Sequence, residues 1–349
     1  MKAVRWHGRR DVRYGEVPDA PEPGPDEVRV RVAWCGLCGT DVHEYLHGPF
    51  VIPTRPHPIT GVSAPVIIGH EVAGVVDEVG GGVRGLEPGQ PVALDGLIPC
   101  RSCDACLAGL PNLCRTFAHI GFSASGGGLA EALTVPASMA VAPDAEVPLD
   151  VLALAEPVSV AVRSVGRAAL RSGRELLVLG AGTIGLAVAE VCRIEHDADV
   201  VLGDHSAWRL DMAARLGFRT LHVEELPGLA GSWDVPAVFD CTGAPQAVGL
   251  AMPLVSPGGR IVVVGFPATP GSVDLAQLAL REISLVGTMS HLVASDFPRA
   301  VRLLVSGDLR AGELITGRIP LADTVPRGLD RLAGPDRQEQ IKILVSPDL

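Results

Sequence analysis

Four cysteines lie close enough together in the sequence to bind one metal ion. The segment spanning residues 99–115 contains Cys100, Cys103, Cys106 and Cys114. Four thiolates at this spacing are typical of a closed tetrahedral zinc site, which has no open position for a substrate. Short cysteine spacings also serve iron–sulfur clusters, and unligated thiols are the third possibility. We favour a structural zinc ion that stabilises a small lobe of the protein.

A second set of possible ligands is dispersed along the chain. It consists of Cys38, His70, Glu71 and Glu156. Taken singly, a His that follows a Gly is commonly a turn residue, and a Glu that precedes a Pro is commonly an acid at a helix N-terminus. Taken together with a nucleotide motif, these residues indicate an open zinc site, in which three protein ligands leave one position for water or substrate.

The nucleotide motif is a GxGxxG at residues 180–185, directly after an apolar strand at 176–179 and at the start of a helical stretch. The first glycine permits a tight turn, the second lets the backbone approach a pyrophosphate, and the third lets helix and strand pack closely. The free N–H groups of the helix then bind the anion. A glycine-rich turn without a ligand is the alternative. The residues predicted to bind the cofactor here and further along the chain are Gly180, Gly182, Thr183, Ile184, Gly185, Thr242 and Gly265.

The preferred cofactor follows from two side chains beyond the next strand. Asp204 stands where a carboxylate accepts hydrogen bonds from the adenosine ribose and repels a 2′-phosphate. NAD is therefore favoured over NADP. Arg209 lies five residues later and is predicted to contact the ribose or adenine. A contact between Arg209 and a phosphate would instead favour NADP.

The elements that must position these residues change in kind along the chain. Up to Pro148, short strands such as those at 28–33 and 72–79 are separated by Gly and Pro, and few helices are evident. From Leu152 onward, apolar strands alternate with segments of helix length. Strands that are apolar on both faces indicate a parallel sheet covered by helices. We predict a β-rich module followed by an α/β domain.

Composition excludes several other classes of protein. The 349 residues are enough for two domains of roughly 150 residues each. The 47% hydrophobic content is that of a globular chain, and the net charge of −11 disfavours nucleic acid and anionic membranes as partners. No suitable apolar run reaches the ~20 residues that span a bilayer, and no secretion signal is visible. We expect a cytoplasmic protein that acts on a small molecule.

The order and spacing of these motifs resemble the zinc-containing medium-chain alcohol dehydrogenases over nearly the whole chain. The matching segments are Cys35-Gly-Leu-Cys38-Gly-Thr40-Asp41-Val-His43, Gly69-His70-Glu71-Val-Ala-Gly74, the four-cysteine lobe, Glu156-Pro157 and the GxGxxG. The insert at residues 48–65 looks most like the butanediol dehydrogenase branch, near the sorbitol dehydrogenases.

The resemblance implies a role for each matching residue. Cys38 and His70 match the catalytic zinc ligands, and Glu156 matches a glutamate that ligates zinc directly or through water. Glu71 matches a residue that is a ligand in only some relatives. Asp41 is implied to orient the ligating His. Thr40 and His43 are implied to form a proton relay. Lys342 matches a basic residue near the cofactor pyrophosphate, and Cys35 matches no ligand and is expected to pack in the core.

The resemblance also implies an architecture and an assembly. A GroES-like β-barrel catalytic domain would span residues 1–152 and 295–349, and it would be split by a Rossmann domain at 153–294. An apolar strand at 341–345 would return to the barrel. A homodimer or homotetramer is implied, with the strand at 283–286 a candidate edge for the contact.

The implied activity is hydride transfer between NAD(H) and a secondary alcohol or ketone, with one catalytic and one structural zinc ion per chain. Relatives with the insert at 48–65 favour vicinal diols and hydroxyketones, and the insert either lines the substrate pocket or is an exposed spacer. Three alternatives stay open from the sequence: a sugar-alcohol or cyclitol dehydrogenase, a biosynthetic enzyme with a larger substrate, and a nucleotide-binding relative without redox activity.

Overall fold

The computed structural model of the protein describes residues 1–349. In chain order the strands are β1 (Lys2–Gly8), β2 (Asp11–Glu16), β3 (Glu27–Gly36), β4 (Val66–Ile67), β5 (Glu71–Val79), β6 (Pro91–Leu94), β7 (Leu97–Ile98), β8 (Ala118–His119), β9 (Ala132–Pro136), β10 (Ala140–Val141), β11 (Glu175–Leu179), β12 (Asp199–Asp204), β13 (Arg219–His222), β14 (Val235–Asp240), β15 (Val255–Val263), β16 (Ser284–Gly287), β17 (Ile315–Pro320) and β18 (Lys342–Ser346).

The α-helices, joined in places by short 3₁₀ and π turns, are α1 (Gly39–His47), α2 (Asp104–Leu107), α3 (Leu149–Leu152), α4 (Ala155–Ala168), α5 (Thr183–His196), α6 (Ala207–Arg215), α7 (Leu226–Leu229), α8 (Ala247–Ala251), α9 (Leu275–Leu280), α10 (Asp296–Ser306) and α11 (Asp330–Ala333). None of them has the combination of length and apolar composition that a membrane crossing requires.

The chain divides into two compact units, and the second is inserted into the first. Unit 1 comprises Met1–Glu156, Leu292–Gly307 and Ala311–Leu349, whereas unit 2 comprises Pro157–His291 and Asp308–Arg310. The chain therefore leaves unit 1, builds unit 2 and returns.

Unit 1 is built around a seven-stranded mixed sheet in which the path β10-β6-β5-β3-β18-β17 is extended by β9 pairing with β3. The C-terminal β18 joins this sheet antiparallel to β3, with Leu344 opposite Gly36. Alternating Val side chains of β3, such as Val28 and Val30, are fully buried in the core of this unit. The predicted return of the last strand to the β-rich domain is confirmed.

Unit 2 contains a six-stranded sheet with the order β13-β12-β11-β14-β15-β16. Every pairing in it is parallel. Leu176–Leu179 of β11 are buried on both faces, as are the apolar residues at the centres of β12 and β14. This is the doubly wound α/β arrangement that alternating apolar strands and helices predict.

Unit 1 contains a helix in the region that the sequence predicts to be mainly strands. Helix α1 covers Gly39–His47 and begins directly after Cys38. Its signal in the sequence is Asp41 in the first turn, where the helix dipole favours an acid, and apolar Val42, Tyr45 and Leu46 at helical spacing. This helix carries three of the residues predicted to take part in catalysis, Thr40, Asp41 and His43.

Candidate active site

Helix α1 brings four of the predicted residues together at its N-terminal end. Cys38 has extended backbone angles at the N-cap, and its N–H donates to Asp41 Oδ2 at 2.9 Å. Thr40 and His43 are three positions apart, so they lie on the same side of the helix. The Thr40 hydroxyl Oγ1 is 3.7 Å from Cys38 Sγ. The start of one short helix thus fixes a thiol, a hydroxyl, a carboxylate and an imidazole.

Three of the expected metal donors converge in unit 1. One donor atom each from Cys38, His70 and Glu71 lies within 4.8 Å of the others. His70 and Glu71 are almost fully buried. A thiolate, an imidazole and a carboxylate are the ligand types that zinc prefers, and three ligands leave a fourth position open. The residues present therefore fit a catalytic zinc ion.

Asp41 lies beside His70 in the interior of unit 1. Its Oδ1 lies 3.6 Å from His70 Nδ1, and both side chains are buried. Burial by itself lowers the pKa of His70, but the Asp41 carboxylate and the Cys38 sulfur outweigh it and hold that pKa well above the ordinary value. The two atoms are close but beyond hydrogen-bonding distance, so the role of Asp41 in orienting the His70 ring stays a prediction.

Glu71 also forms an ion pair with Lys342, a contact that no sequence motif predicts. Lys342 Nζ donates to both carboxylate oxygens of Glu71, at 2.7 and 2.6 Å, and to the Leu37 carbonyl at 2.9 Å. The ammonium has three donors, and all three are used. No N–H of this buried ammonium remains for a cofactor, so the structure gives no support to the predicted contact between Lys342 and a pyrophosphate.

Glu156 does not join the donor group that contains Cys38, His70 and Glu71. It lies in the first turn of α4 and is buried, with 8% of its surface exposed. Its charge acts on Lys342 and helps Glu71 to raise the pKa of that amine against the effect of burial. Glu71, rather than Glu156, thus lies with Cys38 and His70 in this structure, and which of the two glutamates would bind the metal stays a prediction.

The four-cysteine lobe has the geometry of a closed metal site. One sulfur from each of its four cysteines lies within 4.8 Å of the others. Sγ of Cys106 is 3.9 Å from that of Cys100 and 3.6 Å from that of Cys103. Zn–S bonds of about 2.3 Å in a tetrahedron place sulfurs about 3.8 Å apart, so the lobe fits zinc. Hydrogen bonds from the backbone and side chain of Ser102 lower the pKa of Cys100 to about 5, which favours a thiolate.

In unit 2 the GxGxxG forms the turn between β11 and α5. Gly180 has φ +95°, a conformation that favours glycine. A Cβ on Gly185 would overlap the Gly180 carbonyl oxygen, so only glycine allows the helix to approach so closely. Gly182 is the N-cap of α5, and Thr183 and Ile184 occupy its first turn. Free N–H groups at this helix end form an anion site.

The side chains around this turn are held by the protein itself. Asp204 is buried at the end of β12, and its carboxylate accepts the N–H of Ala181 at 2.7 Å and of Ser206 at 2.8 Å. Arg209 Nη1 reaches to 3.6 Å from the place where a Cβ on Gly182 would lie. A carboxylate and a guanidinium therefore flank the glycine turn, at the position where the ribose of a dinucleotide binds.

The two remaining predicted cofactor residues lie beside the same turn. Thr242 follows β14, and its N–H and hydroxyl donate to Asp240 at 2.9 and 2.6 Å. Its Cγ2 is 3.1 Å from a Cβ position on Gly180. Gly265 packs against Gly243 so closely that a Cβ would overlap the backbone. The loops after β11, β12, β14 and β15 thus meet at the carboxyl edge of the parallel sheet, where ligands of such folds bind.

Two aromatic residues near the donor group were not found from the sequence. The Phe122 ring centroid is 4.7 Å from that of His70, and the His119 ring lies edge-on at 5.5 Å. Neither residue belongs to a motif, so no local pattern would have found them. Both rings therefore pack against the His70 imidazole.

Comparison with known proteins agrees with this geometry. Residues 24–145 match the family model of the alcohol dehydrogenase GroES-like domain, and residues 183–306 match that of the zinc-binding dehydrogenases. The chain is 33% identical to (R,R)-butanediol dehydrogenase of Neisseria gonorrhoeae over 100% of both proteins. It belongs to the zinc-containing medium-chain alcohol dehydrogenase family.

Two further comparisons agree with this assignment. Bovine (Bos taurus) sorbitol dehydrogenase is 31% identical over 90% of this chain and 88% of its own length. The crystal structure of 2R,3R-butanediol dehydrogenase from Bacillus subtilis superimposes with a TM-score of 0.90 and 30% identity, covering 99% of each chain. The predicted family, the combination of GroES-like and Rossmann folds, and the assignment as an oxidoreductase are confirmed. This dehydrogenase is therefore an alcohol oxidoreductase.

Proposed function

We propose that this dehydrogenase oxidises one hydroxyl of a vicinal diol, such as 2,3-butanediol, to a hydroxyketone with NAD, and also catalyses the reverse reduction. The observation that carries the proposal is the convergence of Cys38, His70 and Glu71 beside Thr40 and His43 of helix α1. An open donor set next to a hydroxyl and an imidazole suits the removal of a proton from an alcohol.

Cys38, His70 and Glu71 would hold the catalytic zinc ion, and the four cysteines of the lobe would hold a structural one. When bound, zinc acidifies an alcohol and the nicotinamide of NAD accepts a hydride. Asp41, whose carboxylate lies 3.6 Å from His70 Nδ1, would orient the His70 ring, while Lys342 balances the charge of Glu71. The Phe122 ring packs against His70 with the centroids 4.7 Å apart and would help to hold the imidazole in place.

Thr40 and His43 would carry the proton of the substrate. The Thr40 hydroxyl lies beside the Cys38 sulfur, where a substrate hydroxyl would bind, and it can both accept and donate a proton. His43 is three residues further along, and its buried Nδ1 makes no hydrogen bond within the protein. A ring nitrogen without a partner is free to take up the proton and pass it on.

The glycine turn of residues 180–185 would bind the pyrophosphate of NAD, and Asp204 would accept hydrogen bonds from the ribose. Oδ1 of Asp204 accepts the Ser206 N–H and lies 3.4 Å from His205 Nδ1, whereas Oδ2 accepts the Ala181 N–H and retains a second lone pair for a ribose hydroxyl. The negative charge would repel the 2′-phosphate of NADP, which supports NAD as the preferred cofactor.

The choice of a diol is supported by relatives of that name and by the insert at residues 48–65. The insert is tied to unit 1 through Thr60, whose hydroxyl donates to the Ser123 carbonyl at 2.5 Å. A sugar alcohol is the second candidate substrate, because sorbitol dehydrogenase is almost as similar over most of the chain. Both classes present neighbouring hydroxyls.

The deciding experiment measures metal content and substrate range together. We expect about two zinc ions per chain and NADH formation with vicinal diols at a higher kcat/KM than with sorbitol or simple alcohols. A higher kcat/KM for sorbitol would favour the polyol alternative. Absence of NADH formation with every alcohol, at full zinc content, would contradict the proposal.

We further propose a homo-oligomer that works in the cytoplasm. Strand β16 is an edge strand of the sheet in unit 2, and Leu285 on it is 40% exposed. Leu275 and Leu280 of the preceding helix α9 are also exposed. An uncovered edge with apolar neighbours is suited to pairing with a second copy. The eight free cysteines suit a reducing compartment. Light scattering of the purified protein tests the assembly.

A further inference from the structure

Glu44 is a buried carboxylate that none of the proposed chemistry uses. It follows His43 in helix α1, and only 1% of its surface is exposed. Its oxygens accept hydrogen bonds from three successive backbone N–H groups, those of Phe50 at 3.0 Å, of Ile52 at 3.2 Å, and of Val51. No Lys, Arg or His pairs with it. A buried carboxylate requires such donors, so this segment of backbone takes the place of a counter-ion.

Trp6 and Gly48 pack closely against Glu44, where the chain leaves helix α1 and enters the insert. The Trp6 indole N–H donates to the Glu44 carbonyl at 3.1 Å. A Cβ on Gly48 would lie only 2.5 Å from both the carbonyl and Oε2 of Glu44, and 3.0 Å from the Trp6 ring. Only glycine fits at this position, because any side chain would overlap these atoms. The start of the insert at residues 48–65 is therefore fixed on the carboxylate.

The residue held in this way lies against the proposed relay. Phe50 is 68% exposed, although its own N–H is bound by Glu44. Its ring centroid is 5.0 Å from that of His43, and the two planes meet at 61°. An exposed aromatic ring held by its backbone, rather than by a core, can form a rigid wall for a ligand.

We propose that Glu44 is a positioning residue: its carboxylate orders residues 50–52 so that the Phe50 ring covers His43 and forms one wall of the alcohol site. The part that concerns the alcohol rests on the proposed function. Phe50 would then select against bulky substrates on this side, while Glu44 acts only through it.

The anchoring is tested by hydrogen exchange, without any need for activity. Glu44→Leu removes the acceptors at similar size, and Glu44→Gln keeps one carbonyl oxygen. We expect exchange of the amides at 50–52 to accelerate by about tenfold or more in Glu44→Leu, as for a segment that opens locally, and by less in Glu44→Gln. Glu146→Gln, which changes an exposed glutamate of the same unit, is the matched control. Unchanged exchange in both Glu44 variants would overturn the proposal.

The role in catalysis is tested by a double-mutant cycle with Phe50→Ala. We expect Glu44→Gln to raise KM for the diol by about tenfold while KM for NAD stays constant, because a misplaced wall disturbs only substrate binding. In the Phe50→Ala background, Glu44→Gln should have no further effect on KM, since the two residues act as one unit. An equal effect in both backgrounds would show that Glu44 does not act through Phe50.

The two proposals fail in different ways. If the wild-type protein binds two zinc ions and oxidises no alcohol, the proposed function is wrong and the catalytic half of this inference fails with it. Amide exchange at 50–52 still decides whether Glu44 orders the loop. If diols are oxidised and neither exchange nor KM responds to Glu44, the proposed function stands and this inference is wrong.

Discussion

Lys342 and Glu71 form a buried ion pair although 271 positions separate them in the sequence. The amine lies 2.6–2.7 Å from both carboxylate oxygens, and the side chains are 3% and 1% exposed. Strand β18 supplies the lysine and β5 the glutamate. Since Glu71 is also one of the three converging donors, the charge at the proposed metal site is balanced from the C-terminal strand.

We expect Lys342→Met to destabilise unit 1 by about 3–5 kcal/mol, because removal of one partner leaves a charge buried and unpaired. The measurement is urea unfolding followed by circular dichroism at a fixed zinc concentration. The double variant Lys342→Met with Glu71→Gln should recover part of the loss, since it removes both charges. An unchanged stability combined with a raised Kd for NAD would restore the pyrophosphate role for Lys342.

Cys38→Ser should remove the catalytic zinc ion alone. We expect the zinc content to fall from about two to about one per chain, because the lobe of residues 99–115 holds its metal separately. Turnover should be lost. The Kd for NADH should stay within about twofold of wild type, because Cys38 lies outside the glycine turn that would bind the cofactor; a tenfold change in Kd would correspond to ~1.4 kcal/mol. Elemental analysis measures the zinc content, and fluorescence titration measures the Kd for NADH. Retained turnover would refute the zinc assignment.

Cys103→Ser should have the complementary effect in the lobe. Loss of one thiolate from a closed tetrahedral set should cost about one zinc ion per chain and leave residues 99–115 open to proteolysis. Cys192→Ala, a buried cysteine of unit 2 with no metal role, is the control and should keep both ions. A protein that loses no zinc would show that the four sulfurs bind another group or none.

Substitutions in the relay should lower kcat more than they alter KM. We expect Thr40→Ala to reduce kcat by about 10²–10⁴-fold, the range for loss of a positioned proton carrier. His43→Ala should reduce it less, because solvent can replace an acceptor at the end of a relay, and added imidazole should restore part of the rate. Steady-state kinetics with a diol measure both. Equal rates for all three proteins would exclude a relay through helix α1.

Asp204→Ala should change cofactor preference in two ways. The NADP kcat/KM should rise because the repelling charge is gone, and the NAD kcat/KM should fall by about tenfold, equivalent to ~1.4 kcal/mol. Part of that fall comes from the Ala181 N–H, which loses its acceptor within the glycine turn. An unaltered ratio of the two kcat/KM values would contradict the role of Asp204.

The sequence predicts best where local rules and chemistry agree. The glycine turn of residues 180–185 needs its residue types for backbone reasons alone, so both its structure and its neighbouring apolar strands were predicted. The four cysteines likewise converge because their spacing is short. His70 and Cys38 were assigned through the resemblance, and the structure brings their donor atoms together.

The sequence predicts least where contacts span long distances in the chain. Nothing in the C-terminal segment indicates that Lys342 reaches Glu71, because the pairing depends on the register of β18 against β3. The choice between Glu71 and Glu156 depends on the same three-dimensional arrangement. Helix α1 is hard to predict for another reason: the Gly and Pro around it are typical of loops, although its apolar residues have helical spacing.

The insertion of unit 2 within unit 1 has a consequence for synthesis on the ribosome. Strand β18 joins the sheet beside β3, which precedes it by some three hundred positions. A nascent chain that has already made its thiol, imidazole and carboxylate donors must therefore wait while the whole nucleotide-binding unit emerges and folds. During that interval Glu71 has no ammonium partner, so the proposed metal site is completed only by β18, the last strand to be translated.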